Sequence, residues 1–163
     1  MTTDKPKSSP EERLTLSKRF QLGRKGEELA AAYLQQAGYR LVASNFIVPV
    51  GRNSIGKIVN VEIDLVAYDG PTLCFVEVKT RASDWFAVPS ANVDARKQRQ
   101  ITRAARAYRR MFGLAGEPYR YDVVSIVLPS AEKDSENLQI ELLRNFWSEE
   151  KFRKRRWPER YWD

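Results

Sequence analysis

Two neighbouring stretches rich in Val, Ile and Phe constrain most strongly how this chain folds. Residues 59–67 and 73–80 have the composition of β-strands, and residues 68–72 (YDGPT) between them have the composition of a turn. The sequence therefore predicts an antiparallel β-hairpin. Because alternate side chains of a strand share a face, this hairpin separates its polar residues from its apolar ones.

The polar face of each predicted strand carries charged residues. Glu62 and Asp64 are predicted to share a face of the first strand, and Glu77 and Lys79 a face of the second. Ile63 and Leu65 are predicted on the opposite face of the first strand. Whether the two charged sets meet depends on the register of the hairpin.

The length of the turn decides that register. A four-residue loop, 69–72, places Asp64 directly opposite Glu77, with Cβ atoms about 5 Å apart. A two-residue loop pairs Glu62 with Glu77 on the same face, whereas a three-residue loop separates the carboxylates. Pro71 cannot donate a ladder hydrogen bond, which favours the longer loop.

Two carboxylates held this close raise each other's pKa unless a cation lies between them. Mg²⁺ (or Mn²⁺) prefers oxygen ligands, which suits Asp64, Glu77 and the main-chain carbonyl of Val78. Such an ion polarises a phosphodiester, and Lys79 beside it can orient or deprotonate the attacking water. The pattern thus fits phosphodiester hydrolysis. From spacing alone it is more typical of a solvated sheet face with cross-strand ion pairs, and both interpretations stay open here.

Composition excludes several other kinds of site. The chain has no histidine, which removes Ser-His-Asp and Cys-His nucleophile systems and His-ligated zinc.

With 28 Lys and Arg against 21 Asp and Glu, its net charge of +7 attracts polyanions. Cys74 is the single cysteine, so no intramolecular disulfide forms. Neither a membrane-spanning run nor a signal peptide is evident, so we expect a cytoplasmic protein with no membrane partner.

Periodicity predicts one ordered domain, residues 17–143, preceded by a disordered lead-in, 1–16, and followed by a basic, aromatic extension, 144–163. Residues 49–57 are predicted to form a long turn. The predicted elements are helices at 17–37 and 94–112 and strands at 39–48, 59–67, 73–80, 119–128 and 138–143. This order predicts an α/β fold, a mixed β-sheet flanked by α-helices.

Five arginines recur at helical spacing on the second predicted helix. They are Arg96, Arg99, Arg103, Arg106 and Arg110, at intervals of 3, 4, 3 and 4. A stripe without acids among it is typical of a surface that binds nucleic-acid phosphates, whereas a merely solvated face usually mixes charge signs. Both interpretations remain open. Lys97 lies off the stripe and is a further candidate for nucleic-acid binding.

The extension after residue 143 combines cations with aromatic side chains: Phe146, Trp147, Phe152, Trp157, Tyr161 and Trp162. Such residues stack on unpaired bases. They also cap a sheet or form a contact in a homodimer. We favour packing for most of the aromatic rings.

The pattern acid-x-Asp, turn, apolar-Glu-Val-Lys resembles the signature of PD-(D/E)XK, restriction-endonuclease-like nucleases. It is closer still to the bacterial YraN-type family of that superfamily, which is similar to Holliday junction resolvases. The resembling stretches are Gly23, Glu27 and Ala30, Gly38-Tyr39, Asn45, residues 62–65 and 75–81, Lys97-Gln98 and residues 121–124. The chain departs from the pattern at Val61, where a glycine is usual, at Ile47, where a basic residue is usual, and in an insertion at 49–60.

The resemblance implies that Asp64 and Glu77 bind metal, that Lys79 is the catalytic lysine and that Glu27 contributes a further acid. It also implies that Lys97 lies near the charged hairpin. Helix geometry independently puts Glu27 at the edge of the apolar face and Glu28 in water. A first-turn acid that favours the helix dipole is the alternative for Glu27.

The function so implied is that of a Mg²⁺-dependent endonuclease acting on DNA, with branched or single-stranded DNA as candidate substrates. The alternative is a nucleic-acid-binding module that keeps the fold without catalysis. A structural or partner-binding protein that uses its aromatic tail is the third interpretation.

Overall fold

A five-stranded mixed sheet with two α-helices forms the part of the chain that the structure, a computed structural model, describes: residues 9–82, 92–129 and 138–153. The elements are α1 (Pro10–Gln36), β1 (Arg40–Arg52), β2 (Ile58–Asp69), β3 (Thr72–Ala82), α2 (Ala95–Met111), β4 (Tyr119–Leu128) and β5 (Gln139–Trp147), followed by a 3₁₀ turn, Glu149–Phe152.

The strands lie in sequence order, β1-β2-β3-β4-β5. Neighbouring strands are antiparallel except β3 and β4, which are parallel and are connected through α2. This confirms the predicted α/β fold with a mixed sheet between helices, an arrangement consistent with a restriction-endonuclease-like fold. In the same residues, no helix is long and apolar enough to cross a membrane.

Each face of the sheet packs against one helix. The core on the α1 side includes Ala30, Leu34, Leu65, Cys74, Val76, Val124 and Ile126. The core on the α2 side includes Ile63, Val66, Phe75, Ile101, Ala105, Tyr108 and Tyr121. Both faces of β3 are therefore covered, as expected for a strand that has a parallel neighbour.

Helix α1 begins earlier than the sequence analysis predicted. Ser9 Oγ accepts the backbone N–H of Glu12 at 3.2 Å, and the Glu12 carboxylate accepts the N–H of Ser9 at 2.8 Å, which is a capping box. Pro10 follows at the first helical position. The predicted disordered lead-in is therefore wrong for residues 10–16, and residues 1–8 lie outside the described chain.

The β2–β3 hairpin has the register of the longer predicted loop. Tyr68 pairs with Leu73, and the additional pair Asp69–Thr72 leaves Gly70 and Pro71 as the turn. Gly70 has φ +56°, a left-handed conformation that glycine adopts without strain. The β2–β3 ladder runs back from this turn to the pair Leu65–Val76, immediately before Asp64 and Glu77.

The predicted alternation of faces is wrong at Asp64. Ile63 packs in the core on the α2 side, whereas Leu65, two residues later, packs in the core on the α1 side. Across the β1–β2 ladder, Asn45 lies between the residues paired with Ile63 and Leu65 and has φ +50°. Asparagine tolerates this left-handed conformation, which interrupts the regular alternation of side chains between the two faces of the sheet.

The β1–β2 hairpin is longer than predicted. Residues 49–52, which were predicted in the turn, belong to β1, and a register shift occurs between Pro49 and Gly51. Proline is tolerated there because β1 is an edge strand. The turn itself is stabilised by Asn53, whose Oδ1 accepts the N–H of Lys57 at 2.9 Å.

Part of the predicted C-terminal extension belongs to the domain. Strand β5 continues to Trp147, whose ring stacks on Tyr121 with centroids 4.8 Å apart and whose Nε1 donates to Thr102 at 3.0 Å. Phe146 and Phe152 pack beside the same core. The preference for packing is confirmed for these three aromatic residues of the extension; Trp157, Tyr161 and Trp162 lie outside the described chain.

Asp122 anchors β5 to β4 where their register shifts. Its carboxylate is fully buried and accepts Arg120 Nε at 2.9 Å and the backbone N–H of Asn145 at 2.8 Å. Arg120 also donates to the Tyr39 hydroxyl at 2.7 Å. Tyr39 and Asp122, two residues in the resembling stretches, thus stabilise the fold together.

Helix α1 lies against the Thr80 side chain of β3 at Gly26, where an added Cβ atom would overlap Thr80 Oγ1. A Cβ atom at Gly26 would lie 2.8 Å from Thr80 Cβ and 2.9 Å from Thr80 Cγ2, closer than side chains normally approach. A Cβ at Gly23, one turn earlier, would meet nothing within 4 Å. Gly26 therefore determines how near α1 lies to β3, and through that the position of Glu27.

We expect Gly26→Ala to lower the free energy of unfolding by about 2 kcal/mol, because the new methyl group forces α1 away from Thr80. Gly23→Ala is the matched control and should raise it by up to ~1 kcal/mol, since alanine favours the helix and has room there. Urea unfolding followed by circular dichroism measures both. Equal effects of the two substitutions would contradict the close contact.

Candidate metal centre

Three carboxylates from two elements meet beside the middle of the β1–β2 ladder. Glu27 of α1 and Glu62 and Asp64 of β2 each offer an oxygen, and these oxygens lie within 4.8 Å of one another. Glu27 and Asp64 were predicted site residues. Glu62 was predicted to share a face with Asp64 but was not predicted as a site residue. The contact between Glu62 and Glu27 depends on the position of α1 against the sheet, which local sequence patterns do not reveal.

Asn45 joins two of these acids. Its Nδ2 donates to Glu27 Oε2 and to Glu62 Oε1, both at 2.8 Å. The positive φ of Asn45 occurs at the point where the side chains of β2 switch from one face of the sheet to the other. The same local conformation accompanies the hydrogen bonds from the Asn45 amide to the two acids. Asn45 appears in the resembling stretches, but the sequence alone gave it no role.

The Asp64 side chain supplies a hydrogen-bond acceptor that a backbone carbonyl would supply in a regular ladder. Its Oδ2 accepts the backbone N–H of Val78 at 2.8 Å, just beyond the last described β2–β3 pair. Burial, together with the charge of Glu77, raises the pKa of Asp64 to about 7, while the Val78 hydrogen bond and Lys97 act in the opposite direction. Near neutral pH this carboxyl group therefore holds a proton or requires a neighbouring positive charge.

Glu77 is buried beside two lysines. Only 3% of the residue is exposed, and its Oε1 lies 3.1 Å from Lys79 Nζ and 3.6 Å from Lys97 Nζ. Lys97 therefore reaches the charged hairpin, as predicted. Glu77 Oε2 is buried without a hydrogen-bond partner among the described residues.

The donor set fits a divalent cation. Buried oxygens normally have partners, and the unpartnered Glu77 Oε2 is an acceptor that a cation would satisfy. Carboxylate and carbonyl oxygens are the ligands that Mg²⁺ and Mn²⁺ prefer. Glu77 lies outside the group of three acids within 4.8 Å, so Glu27 and Glu62 supplement the predicted set of Asp64, Glu77 and Val78.

A groove leads from the acids along α1. Its volume is about 490 Å³, and its lining residues are Arg19, Phe20, Gly23, Arg24, Glu27, Asn45 and Glu62. Glu28, the next residue on α1, is exposed and does not line the groove, as helix geometry predicted. Two acids of the cluster are therefore reached through a concave surface that also carries arginines.

The arginine stripe follows the outer face of α2, but the prediction that it lacks acids is wrong. Arg106 Nη2 lies 2.7 Å from Oε2 of Glu149, which the 3₁₀ turn supplies. Arg103 donates to the carbonyl of Val50 at 3.0 Å. Four arginines, Arg103, Arg106, Arg109 and Arg110, line a second groove of about 410 Å³. The remaining stripe residues, Arg96 and Arg99, are also exposed.

Sequence comparison relates this arrangement to a bacterial family. The profile described as "Uncharacterised protein family UPF0102" matches residues 26–126, which include all four acids and Lys79. The chain belongs to the UPF0102 family. A UPF0102 protein of Desulfosudis oleivorans is 38% identical over 130 residues, 80% of this chain and 92% of the relative.

Two further UPF0102 proteins have similar coverage. That of Geobacter sulfurreducens is 42% identical over 111 residues, 68% of this chain and 79% of the relative. That of Chlorobium chlorochromatii is 40% identical over 132 residues, 80% of this chain and 94% of the relative. The UPF0102 relationship therefore covers α1 from Gly26 through most of β4.

The raised pKa of Asp64 predicts a pH-dependent stability. In the unfolded chain the group titrates near 3.8, and in the folded protein near 7, so the folded state retains the proton over that interval. Its contribution is fully present below about pH 4 and is lost as the pH rises through about 7. The loss is at most ~4 kcal/mol, since one pKa unit is worth ~1.4 kcal/mol.

Asp64→Asn should remove this dependence, because asparagine does not titrate and keeps an oxygen for the Val78 N–H. Urea unfolding in EDTA at several pH values gives the free energy of unfolding for both proteins. We expect the variant to gain stability over the wild type as the pH rises, whereas the exposed control Glu28→Gln should not. Parallel pH profiles for wild type and Asp64→Asn would contradict the burial of this charge.

Proposed function

We propose that this protein is a divalent-metal-dependent endonuclease of the PD-(D/E)XK, restriction-endonuclease-like superfamily, and that it hydrolyses phosphodiester bonds of DNA. The observation that carries the proposal is the meeting of Glu27, Glu62 and Asp64 beside a buried Glu77 that pairs with Lys79. Simple cross-strand ion pairs do not account for this arrangement, because oxygens of three acids lie within 4.8 Å of one another and an oxygen of the fourth acid has no partner among the described residues. We infer a cytoplasmic location from the DNA substrate.

Asp64, Glu77 and the main-chain carbonyl of Val78 would hold the ion, together with Glu27 and Glu62. A bound Mg²⁺ or Mn²⁺ supplies Lewis-acid polarisation of the phosphodiester and lowers the pKa of a coordinated water. The protein contributes a rigid set of oxygens, because the Val78 N–H orients Asp64 and Asn45 orients Glu27 and Glu62.

Lys79 supplies the positive charge. Its Nζ lies 3.1 Å from Glu77 Oε1, and about a third of the side chain remains exposed, so it can meet a substrate phosphate from the solvent side. There it stabilises negative charge that develops on the phosphate oxygens and orients the attacking water. Lys97, at 3.6 Å from the same oxygen, adds to the positive field. Glu27, at the end of the groove, is placed to accept a proton from water.

DNA is the polyanion that this site favours. The net charge of +7 and the exposed arginines of α2 attract phosphates, and a phosphodiester is the bond that a carboxylate–lysine site can cleave. Branched and single-stranded DNA are the substrates that we propose to test first.

Cleavage should require the acids and the lysine. We expect Asp64→Asn, Glu27→Gln and Lys79→Gln each to reduce the cleavage rate at least ~100-fold, because each removes a charge that acts on the reacting groups. The measurement follows labelled linear, single-stranded and branched DNAs with Mg²⁺ or Mn²⁺ on gels. Glu28→Gln and Lys25→Gln change exposed charges of α1 and serve as controls.

Circular dichroism must show that each variant is folded before the rates are compared. Cleavage that survives all three site substitutions would refute the assignment of the site. Absence of cleavage by the wild type, together with DNA binding, would favour the alternative, a nucleic-acid-binding module without catalysis.

The arginines of α2 are the observation that favours this alternative. If they contact phosphates, the plot of log K against log salt should lose ~0.9 of slope for each contact removed. We therefore expect Arg99→Ala with Arg110→Ala to flatten the plot by about 1.8. Arg40→Ala, at the start of β1 beside Tyr68, is the control. Equal slopes for all three proteins would exclude the stripe from DNA binding.

A further inference from the structure

Helix α1 contains two glycines, and only one of them is explained by the protein itself. Gly26 is required by the contact with Thr80, whereas a Cβ at Gly23 would meet no atom within 4 Å. Glycine inside a helix is unfavourable compared with alanine, so an internal glycine without a packing reason is unusual. The space above Gly23 is part of the groove that ends at Glu27.

The groove follows one face of α1. Phe20, Gly23 and Glu27 recur at spacings of 3 and 4, which places them in line along the helix. Phe20 and Glu27 are separated by about 10 Å of helix axis, and the absent side chain at Gly23 leaves the path between them open. A ligand that contacts Phe20 can therefore extend to the acids along the bare backbone of Gly23.

The other residues on this path indicate the charge of that ligand. Arg19 and Arg24 line the groove on either side of Gly23, and both are exposed. Phe20 is 67% exposed, the most exposed of the described phenylalanines. An apolar ring beside two guanidinium groups complements a flat apolar group that carries a nearby negative charge. A nucleotide has this chemistry.

We propose that the groove binds one unpaired nucleotide of a DNA strand, with its base stacked on Phe20, its phosphates on Arg19 and Arg24, and the strand passing over Gly23 towards Glu27. The inference rests on the proposed function for the identity of the polyanion. It deepens that function by assigning a single-stranded substrate segment, because a base inside a duplex cannot offer its face to a side chain.

Binding without metal tests this proposal independently of cleavage. A single-stranded oligonucleotide that contains 2-aminopurine is titrated with the full-length protein in EDTA, and its fluorescence reports stacking of the base. We expect quenching by the wild type and about tenfold weaker binding, with the quenching lost, for Phe20→Ala. Leu14→Ala removes an apolar side chain that is 59% exposed on the same helix outside the groove and should behave as wild type.

Gly23→Leu separates a role in binding from a role in the fold. The new side chain fills the groove without meeting protein atoms at its Cβ, so the variant should unfold at a temperature no lower than the wild type yet bind the oligonucleotide about tenfold more weakly. Arg24→Gln should weaken binding and reduce its salt dependence, whereas Lys25→Gln, an exposed neighbour that does not line the groove, should do neither.

The outcomes distinguish this inference from the proposed nuclease. If quenching requires Phe20 but the protein does not cleave DNA, the proposed nucleotide groove is supported and the proposed nuclease activity is refuted. Cleavage that needs Asp64 but is indifferent to Phe20 and Gly23 overturns the groove alone. The groove proposal is also overturned if the wild type does not bind single strands, or if Phe20→Ala weakens duplex and single-strand binding equally. A wild-type dimer that Phe20→Ala disrupts would overturn it too, because the groove would then bind a second copy of the chain.

Discussion

The hydrogen bond from the Val78 N–H to the Asp64 carboxylate is the interaction on which the site depends. At this point β2 stops pairing with β3, and a side chain supplies the acceptor that a neighbouring carbonyl would otherwise provide. The backbone donor stays satisfied while the two strands separate. The separation admits Glu27 from α1 and leaves Glu77 buried on β3. A regular ladder would have closed this space.

The geometry of the charges follows from rigid elements rather than loops. Gly26 lets the backbone of α1 lie against Thr80, and Asn45 then joins the helix acid to the strand acid with two hydrogen bonds of equal length. Side chains that are already ordered by hydrogen bonds within the protein lose little further conformational entropy when they bind a ligand. The energetic cost is concentrated at Asp64 and Glu77, whose charges are close and poorly hydrated.

Local patterns predicted the strands and the second helix and favoured the turn register that is found, because composition and alternation report on neighbouring residues. They also identified Asp64, Glu77 and Lys79, which lie on one hairpin. They did not give Glu62 or Asn45 a role, since Asn45 contacts Glu27 of α1 across 18 residues and Glu62 of β2 across 17. The pairing of Arg106 with Glu149 spans 43 residues and has no local signal. The start of α1 is different, because its capping box of Ser9 and Glu12 has a local sequence signature.

The parallel pairing of β3 with β4 has a consequence for the order of folding. All four acids and Lys79 belong to the first 82 residues, in α1, β2 and β3, which follow one another closely along the chain. Strand β4 reaches its place beside β3 only after the crossover through α2 is closed, a step that is slow because it joins residues distant in sequence. The burial of Glu77 on β3 is thus completed by a segment that contributes no acid to the site.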